Sequence, residues 1–171
     1  MPKFLRHVRK GRWYPPEEPF DWLPQDERPA DPLGDLSTRE CALSVWELTD
    51  DGSNRERVLA AIASTRMTLA QVDYIVFSSE VLDGLGLTVV KSEGDTHDDK
   101  ANALWHYDIR RLSDARLVSL GRRLLQLVTE EDDCLSRIQP FRLKPLLVDG
   151  IRSGRLADGI DARLREDLGL Q

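Results

Sequence analysis

The sequence predicts an α+β fold: a small, mainly antiparallel sheet covered by helices, a helical C-terminal part, and an extended proline-rich N-terminal arm. Three observations lead there. Seven of the nine prolines (Pro2, Pro15, Pro16, Pro19, Pro24, Pro29 and Pro32) fall in the first 40 residues, where they remove amide donors and push each preceding residue out of helical space. Short β-branched and aromatic runs bounded by turn residues occupy 41–109. From Ser113 onward the apolar period becomes that of a helix. The expected organisation is an arm over 1–40 and one compact domain over 41–171, helical from about 113. At 171 residues a chain buries roughly 70% of its unfolded surface, enough for a core without metal or disulfides.

The arm is charge-segregated. Lys3, Arg6, Arg9, Lys10 and Arg12 come first, then Glu17, Glu18, Asp21, Asp26, Glu27, Asp31 and Asp35. Trp13, Tyr14, Phe20, Trp22 and Leu23 lie among them, more large apolar groups than a merely solvated segment carries. Either they fill grooves of their own domain, or they dock on a partner.

In the compact part, Ala42–Leu48 reads as a strand closed by Asp50-Asp51-Gly52. Ser53 and Glu56 have capping-box spacing, and Val58, Leu59, Ala61 and Ile62 give the following helix, 53–64, a buried face. Val72–Phe77 is assigned as a strand, although Thr68 and Gln71 also have capping-box spacing and Leu69, Val72 and Val76 fit a helix; Ser79–Asp83 is a helical turn, and Leu87–Val90 a strand favoured by its β-branched residues. The run 92–100 is polar loop. Next, Ala103, Trp105, Tyr107 and Ile109 alternate with Asn102, His106 and Asp108, the period of a half-buried strand pairing antiparallel with 87–91. Leu117, Leu120, Leu124 and Val128 stripe a helix over 113–128. The acidic run Glu130–Asp133 would oppose that helix's dipole and belongs to the next turn. Pro140 is expected to interrupt the chain, Pro145 to begin another helix, and Gly150 and Gly154 to lie at a helix end and loop. Gly159–Leu168 is a short amphipathic helix stopped by Gly169.

Composition narrows the function. With 24 basic against 30 acidic residues and a net charge of −6, the chain lacks the overall positive field of most nucleic-acid binders, so nucleic acid is an unlikely partner. No stretch reaches the roughly 20 apolar residues of a membrane span, and the first residues lack a secretory signal's apolar segment; a cytoplasmic protein is expected. Cys41 and Cys134 stand too far apart for CxxC chemistry, and their apolar neighbours suggest small buried groups rather than nucleophiles. No phosphate-cradling glycine motif or GxSxG elbow occurs around Ser78, Ser79 or Ser92.

Two readings of different class follow. The first is a non-enzymatic accessory or regulatory protein that needs no cofactor. It docks on another protein or a second copy of itself through Trp13, Tyr14, Phe20 and Trp22 of the arm, and through the basic face carrying Arg116 and Arg123. Arg110, Arg111, Arg116, Arg122 and Arg123 meet only Asp114 within fourteen residues, which favours an acidic partner, the chain's own acidic segment included. The second is a small metal-assisted hydrolase built on the acidic and histidine cluster at 93–108. Asp95, His106 and Asp108 would hold a divalent metal, and Glu93, His97 and His106 would form the catalytic set around an activated water. On a strand, however, His106 and Asp108 stand nearly 7 Å apart, too far for one to orient the other directly.

Overall fold

The structure, a computed structural model, describes residues 1–13, 30–131 and 133–170. Its strands are β1 (Lys3–Val8), β2 (Leu43–Leu48), β3 (Val72–Ser78), β4 (Thr88–Lys91), β5 (His106–Arg110) and β6 (Leu135–Ile138). They form one sheet in the order β4-β5-β2-β1-β3-β6, and every neighbouring pair is antiparallel. The helices are α1 (Lys10–Trp13), α2 (Arg55–Ser64), α3 (Ser79–Asp83), α4 (Asp99–Trp105), α5 (Asp114–Glu130), α6 (Pro140–Arg152) and α7 (Ala162–Leu168), with a 3-10 turn at Asp31–Asp35.

The mixed α+β class and the helical covering agree with the sequence; the sheet is wider than expected. Its centre is the segment assigned to the arm. β1 pairs from Lys3↔Ser78 to Val8↔Asp73 on one side and from Lys3↔Leu48 to Leu5↔Trp46 on the other. A central strand is buried on both faces, so its apolar residues need not alternate with polar ones. Phe4 and Val8 enter one core with Val45, Ile75, Phe77 and α5, while Leu5 enters the other with Trp46, Val72, α2 and α6. Residues 3–13 therefore belong to the compact domain, which starts well before Cys41. Tyr14, Phe20 and Trp22 lie outside the described residues.

Past Leu5 the β1–β2 register ends, and Arg6 fills the gap. Its guanidinium donates to the Ser44 carbonyl (2.8 Å) and to the Asp35 carbonyl (2.9 Å), while its buried Nε has no partner among the described residues. Burial pushes the Arg6 pKa down to about 10, against the pull of Asp35, so the group stays charged at neutral pH. The Asp35 carboxylate accepts from the Arg9 amide (2.7 Å), the Trp13 indole (3.0 Å) and the Arg12 guanidinium (3.0 Å). One side chain thus closes the turn after β1 and seats the fully buried Trp13.

Other elements depart from expectation for identifiable reasons. The N-cap position of α2 is Asn54, not Ser53, and its side chain makes no capping bond to the helix: the buried Asn54 amide instead accepts from the Thr49 amide (2.9 Å) and donates to the Glu47 carbonyl (3.0 Å). Residues 102–105 are helical, because Asp98 caps α4 by accepting from the Ala101 amide (2.9 Å) while gripping Arg57 through both oxygens (2.6 and 2.7 Å). β6, which the sequence pattern did not suggest, forms the far edge of the sheet. Pro140 starts α6 at its first turn, where no amide is needed, and Pro145 sits inside that helix. Gly150 is helical and buried, since a Cβ there would lie 2.8 Å from Leu156 Cδ1. α7 begins at Asp161, whose side chain accepts from the Arg163 amide (2.8 Å), and ends at left-handed Gly169. No described helix is long and apolar enough to cross a membrane.

Two predictions follow. Asp35→Ala strands the Trp13 indole, the Arg9 amide and the Arg12 charge, and is expected to lower stability in urea titration by about 3 kcal/mol, with Asp35→Asn costing less because its amide oxygen still accepts. His7 gives a pH dependence. Its Nε2 lies 2.7 Å from an Arg66 nitrogen and accepts only when unprotonated. Burial first, then Arg66 and Arg6, push its pKa from 6.5 to about 4, against Asp35 and Asp73. The unfolded chain binds the extra proton, so this stabilisation is full above pH 6.5 and is lost as pH falls toward 4. Urea midpoints should fall less over that window in His7→Gln than in the wild type; equal falls would count against the assignment.

Candidate functional site

A cleft of about 640 Å³ opens over β5 and β2 where the helical layer stops. Alternate residues of β5, His106, Asp108 and Arg110, face it together with Ser44 of β2. Glu93 and Asp95 form the wall at the His106 end, and Arg39, Glu40, Cys41 and Arg111 form the wall at the Arg110 end. Register explains both walls. Ser92, the residue after β4, donates its amide to the His106 carbonyl (3.3 Å), so 93–95 continue past that end. At the other end Leu43 opposes Ile109 and the Leu112 amide donates to the Cys41 carbonyl (3.0 Å), setting the 39–42 turn beside Arg110 and Arg111.

His106 is buried. Its Nδ1 lies 2.9 Å from Ser92 Oγ and its ring meets Trp46 edge-on at 4.9 Å. Burial holds its pKa below the ordinary value, against the raising influence of Asp108, the Ser92 main chain and Asp95, so the imidazole is neutral at pH 7. Asp108 receives the Ser44 hydroxyl (3.3 Å) and lies 3.8 Å from Arg110. The imidazole's Nδ1 is therefore oriented by Ser92, and Asp108 is engaged elsewhere.

The acidic wall is held by Asn102. Its Oδ1 accepts from the Thr96 hydroxyl (2.6 Å) and amide (3.3 Å), and its Nδ2 donates to the Thr96 carbonyl (2.7 Å). Gly94 lets the loop lie flat, since a Cβ there would meet Asn102 Oδ1 at 2.6 Å and His106 Cγ at 3.2 Å. Asp98 anchors the loop's far side: burial raises its pKa, but the Arg57 bonds and the Ala101 amide outweigh this and hold the carboxyl below its usual range.

The basic wall carries backbone strain. Glu40, Cys41 and Arg111, at φ 54°, 57° and 59°, are the non-glycine residues with positive φ among those described, and all three line this cleft. Arg39 and Ala42 exchange both main-chain hydrogen bonds (2.9 and 3.1 Å) across Glu40 and Cys41. Such a two-residue turn normally takes asparagine and glycine, and left-handed conformations of other residues cost of order 1 kcal/mol or more each.

The residues singled out in the sequence separate accordingly. Glu93, Asp95, His106 and Asp108 share the cleft. His97 does not line it; its carbonyl receives the Ala157 amide (2.7 Å) and its ring lies against the Gly159 turn. Among the described residues no three His, Cys, Asp or Glu side chains form a group able to hold a metal ion, so Asp95, His106 and Asp108 are not assembled as ligands and the catalytic set Glu93, His97 and His106 is split. Trp13 is wholly buried, which removes it as a docking residue. Arg116 is exposed, with Nη1 donating to the Arg111 carbonyl (3.3 Å); Arg123 lies 3.7 Å from Glu130. Cys134 is buried, and burial with Glu131 pushes its thiol up to about 11, whereas Cys41 is exposed at the turn, contrary to expectation. Arg39, Glu40 and Ser44 do not stand out in the sequence as site residues, and Arg-Glu-Cys-Ala carries no turn signature.

Asn102→Ala should free the 93–97 loop from α4. Hydrogen exchange of amides 93–97 is expected to rise at least about tenfold while core strand amides stay protected, as befits a local opening. Compared with known proteins, the chain matches no protein-family model, no curated protein and no solved structure.

Proposed function

We propose that this chain is a non-catalytic binding protein, an accessory or regulatory module that docks an acidic segment of another protein on the arginines around the β5–α5 junction. The supporting observation is their grouping. Arg39, Arg110 and Arg111 border one cleft, and Arg116 extends the patch from the first turn of α5. All four are exposed. Among the described residues the ion pair they make is the long Arg110–Asp108 contact, whereas Arg12, Arg57 and Arg137 have close carboxylates. Guanidinium groups left to solvent on one face recognise carboxylates in bidentate fashion at low desolvation cost.

Long-range attraction between such a patch and an acidic segment accelerates encounter and is screened by salt. A fluorescein-labelled ten-residue glutamate peptide should therefore bind the full chain, with affinity falling as salt is added. Arg110→Glu/Arg111→Glu/Arg116→Glu should weaken it at least about tenfold, a loss of 1.4 kcal/mol or more. Absence of binding at low salt, or equal binding by the triple variant, would overturn the proposal. Tighter binding of a single-stranded oligonucleotide of equal charge would overturn it in favour of nucleic acid.

A further inference from the structure

We infer that the β5 cleft reads a dipolar segment: an extended peptide with a cationic side chain at one end and a carboxylate about four residues away. This rests on the binding function proposed above and specifies what part of the partner enters the cleft. The cleft's charges are sorted by position along β5. At the His106 end stand Glu93 and Asp95, without a cation among the lining residues there; at the other end stand Arg39, Arg110 and Arg111, offset by Glu40. Between them Asp108 is already engaged by Ser44 and Arg110, and His106 is neutral. Lys91, the nearest lysine in β4, is turned to the opposite face, where its ammonium lies 4.3 Å from the Tyr107 ring centre and donates to the Leu104 carbonyl.

The two ends are separated by the four strand steps from His106 to Arg110, about 13 Å at the rise of a strand. A single amino acid's own ammonium and carboxylate cannot bridge that span, whereas an extended five-residue segment with charges at its two ends matches it. A uniformly acidic segment would satisfy the arginines but bring a carboxylate against Glu93 and Asp95. Like-charge contact of this kind penalises the wrong partner as effectively as attraction selects the right one. The walls are built to hold their positions: the acidic one is fixed by Asn102 and Gly94, the basic one by the turn at Glu40 and Cys41. A backbone held in place beforehand loses less freedom on binding than a mobile loop would.

The test compares two blocked pentapeptides with three central glycines, one with lysine and glutamate at its ends and one with glutamate at both. Each is titrated into the full-length 15N-labelled chain, and affinity is read from the amide shifts of residues 106–111. The lysine–glutamate peptide is expected to bind about tenfold tighter than the diglutamate one, a difference typical of one close charge pair gained and one repulsion removed. Glu93→Gln/Asp95→Asn should bring the two peptides to equal affinity, and Arg110→Gln/Arg111→Gln should weaken both. Equal affinities in the wild type, or a preference that survives in Glu93→Gln/Asp95→Asn, would overturn the inference while leaving the acidic-segment reading in place. Failure of the ten-residue glutamate peptide to bind would overturn that reading itself and, with it, the inference that rests on it.

Discussion

The placement of β1 between β2 and β3 is the constraint on which the rest of the structure depends. Both sheet halves reach each other only through it: β4, β5 and β2 lie on one side, β3 and β6 on the other. Its side chains enter both cores, so each helical layer packs partly on residues 4–8. An antiparallel ladder on each flank satisfies most of its main-chain groups. Where the flank facing β2 gives out, the Arg6 guanidinium supplies the missing donor to the Ser44 carbonyl, an inward arginine in place of a ladder bond.

Three buried or nearly buried carboxylates repeat one device. Asp35, Asp73 and Asp98 each accept from at least one arginine and one main-chain amide: Asp35 from Arg12 and the Arg9 amide, Asp73 from Arg137 and the Lys10 amide, Asp98 from Arg57 and the Ala101 amide. A buried ion pair alone often fails to recover its desolvation cost, and additional hydrogen bonds decide whether it holds. In two of the three the amide bond joins residues distant in sequence: Asp73 ties β3 to the start of α1, and Asp35 ties the 3-10 turn to the end of β1. These carboxylates bring long-range order to segments whose own propensities are weak, including the first turn of α4, whose Asn102 holds the cleft's acidic loop.

The sequence made legible those elements whose burial is one-sided and long enough to show a period. α5 and its Leu120–Leu124 stripe, the buried face of α2, and strand β2 follow directly from pattern, whereas the run that forms β3 fits a helical spacing as well as a strand. β1 did not, because a two-faced central strand shows no alternation and because Arg6 and His7 look like surface residues until Asp35 and Arg66 are seen beside them. Residues 102–105 of α4 fit a strand alternation, since so few residues do not distinguish a period of two from one of 3.6, and the cap of α4 acts through a tertiary contact with Arg57. Half of the candidate site was visible: Glu93, Asp95, His106 and Asp108 stood out as a polar cluster. The arginine wall was only partly so, because Arg39 joins Arg110 and Arg111 through strand register. The tight turn that carries it is held by pairing rather than by residues with a turn preference of their own.

Because β1 precedes its partners by tens of residues, the order in which the polypeptide is made acquires a meaning. At ribosomal rates of about 5–20 residues per second, Phe4, Leu5 and Val8 wait several seconds between their own synthesis and that of β3. Until β2 is made they lack both neighbours, and until β3 follows they still lack the longer of their two pairings, the kind of exposed apolar edge that chaperones bind and that pairs wrongly when chains are crowded. The yield of folded protein should therefore be governed by how the emerging chain is shielded before residue 78 is made, more than by the final stability of the sheet.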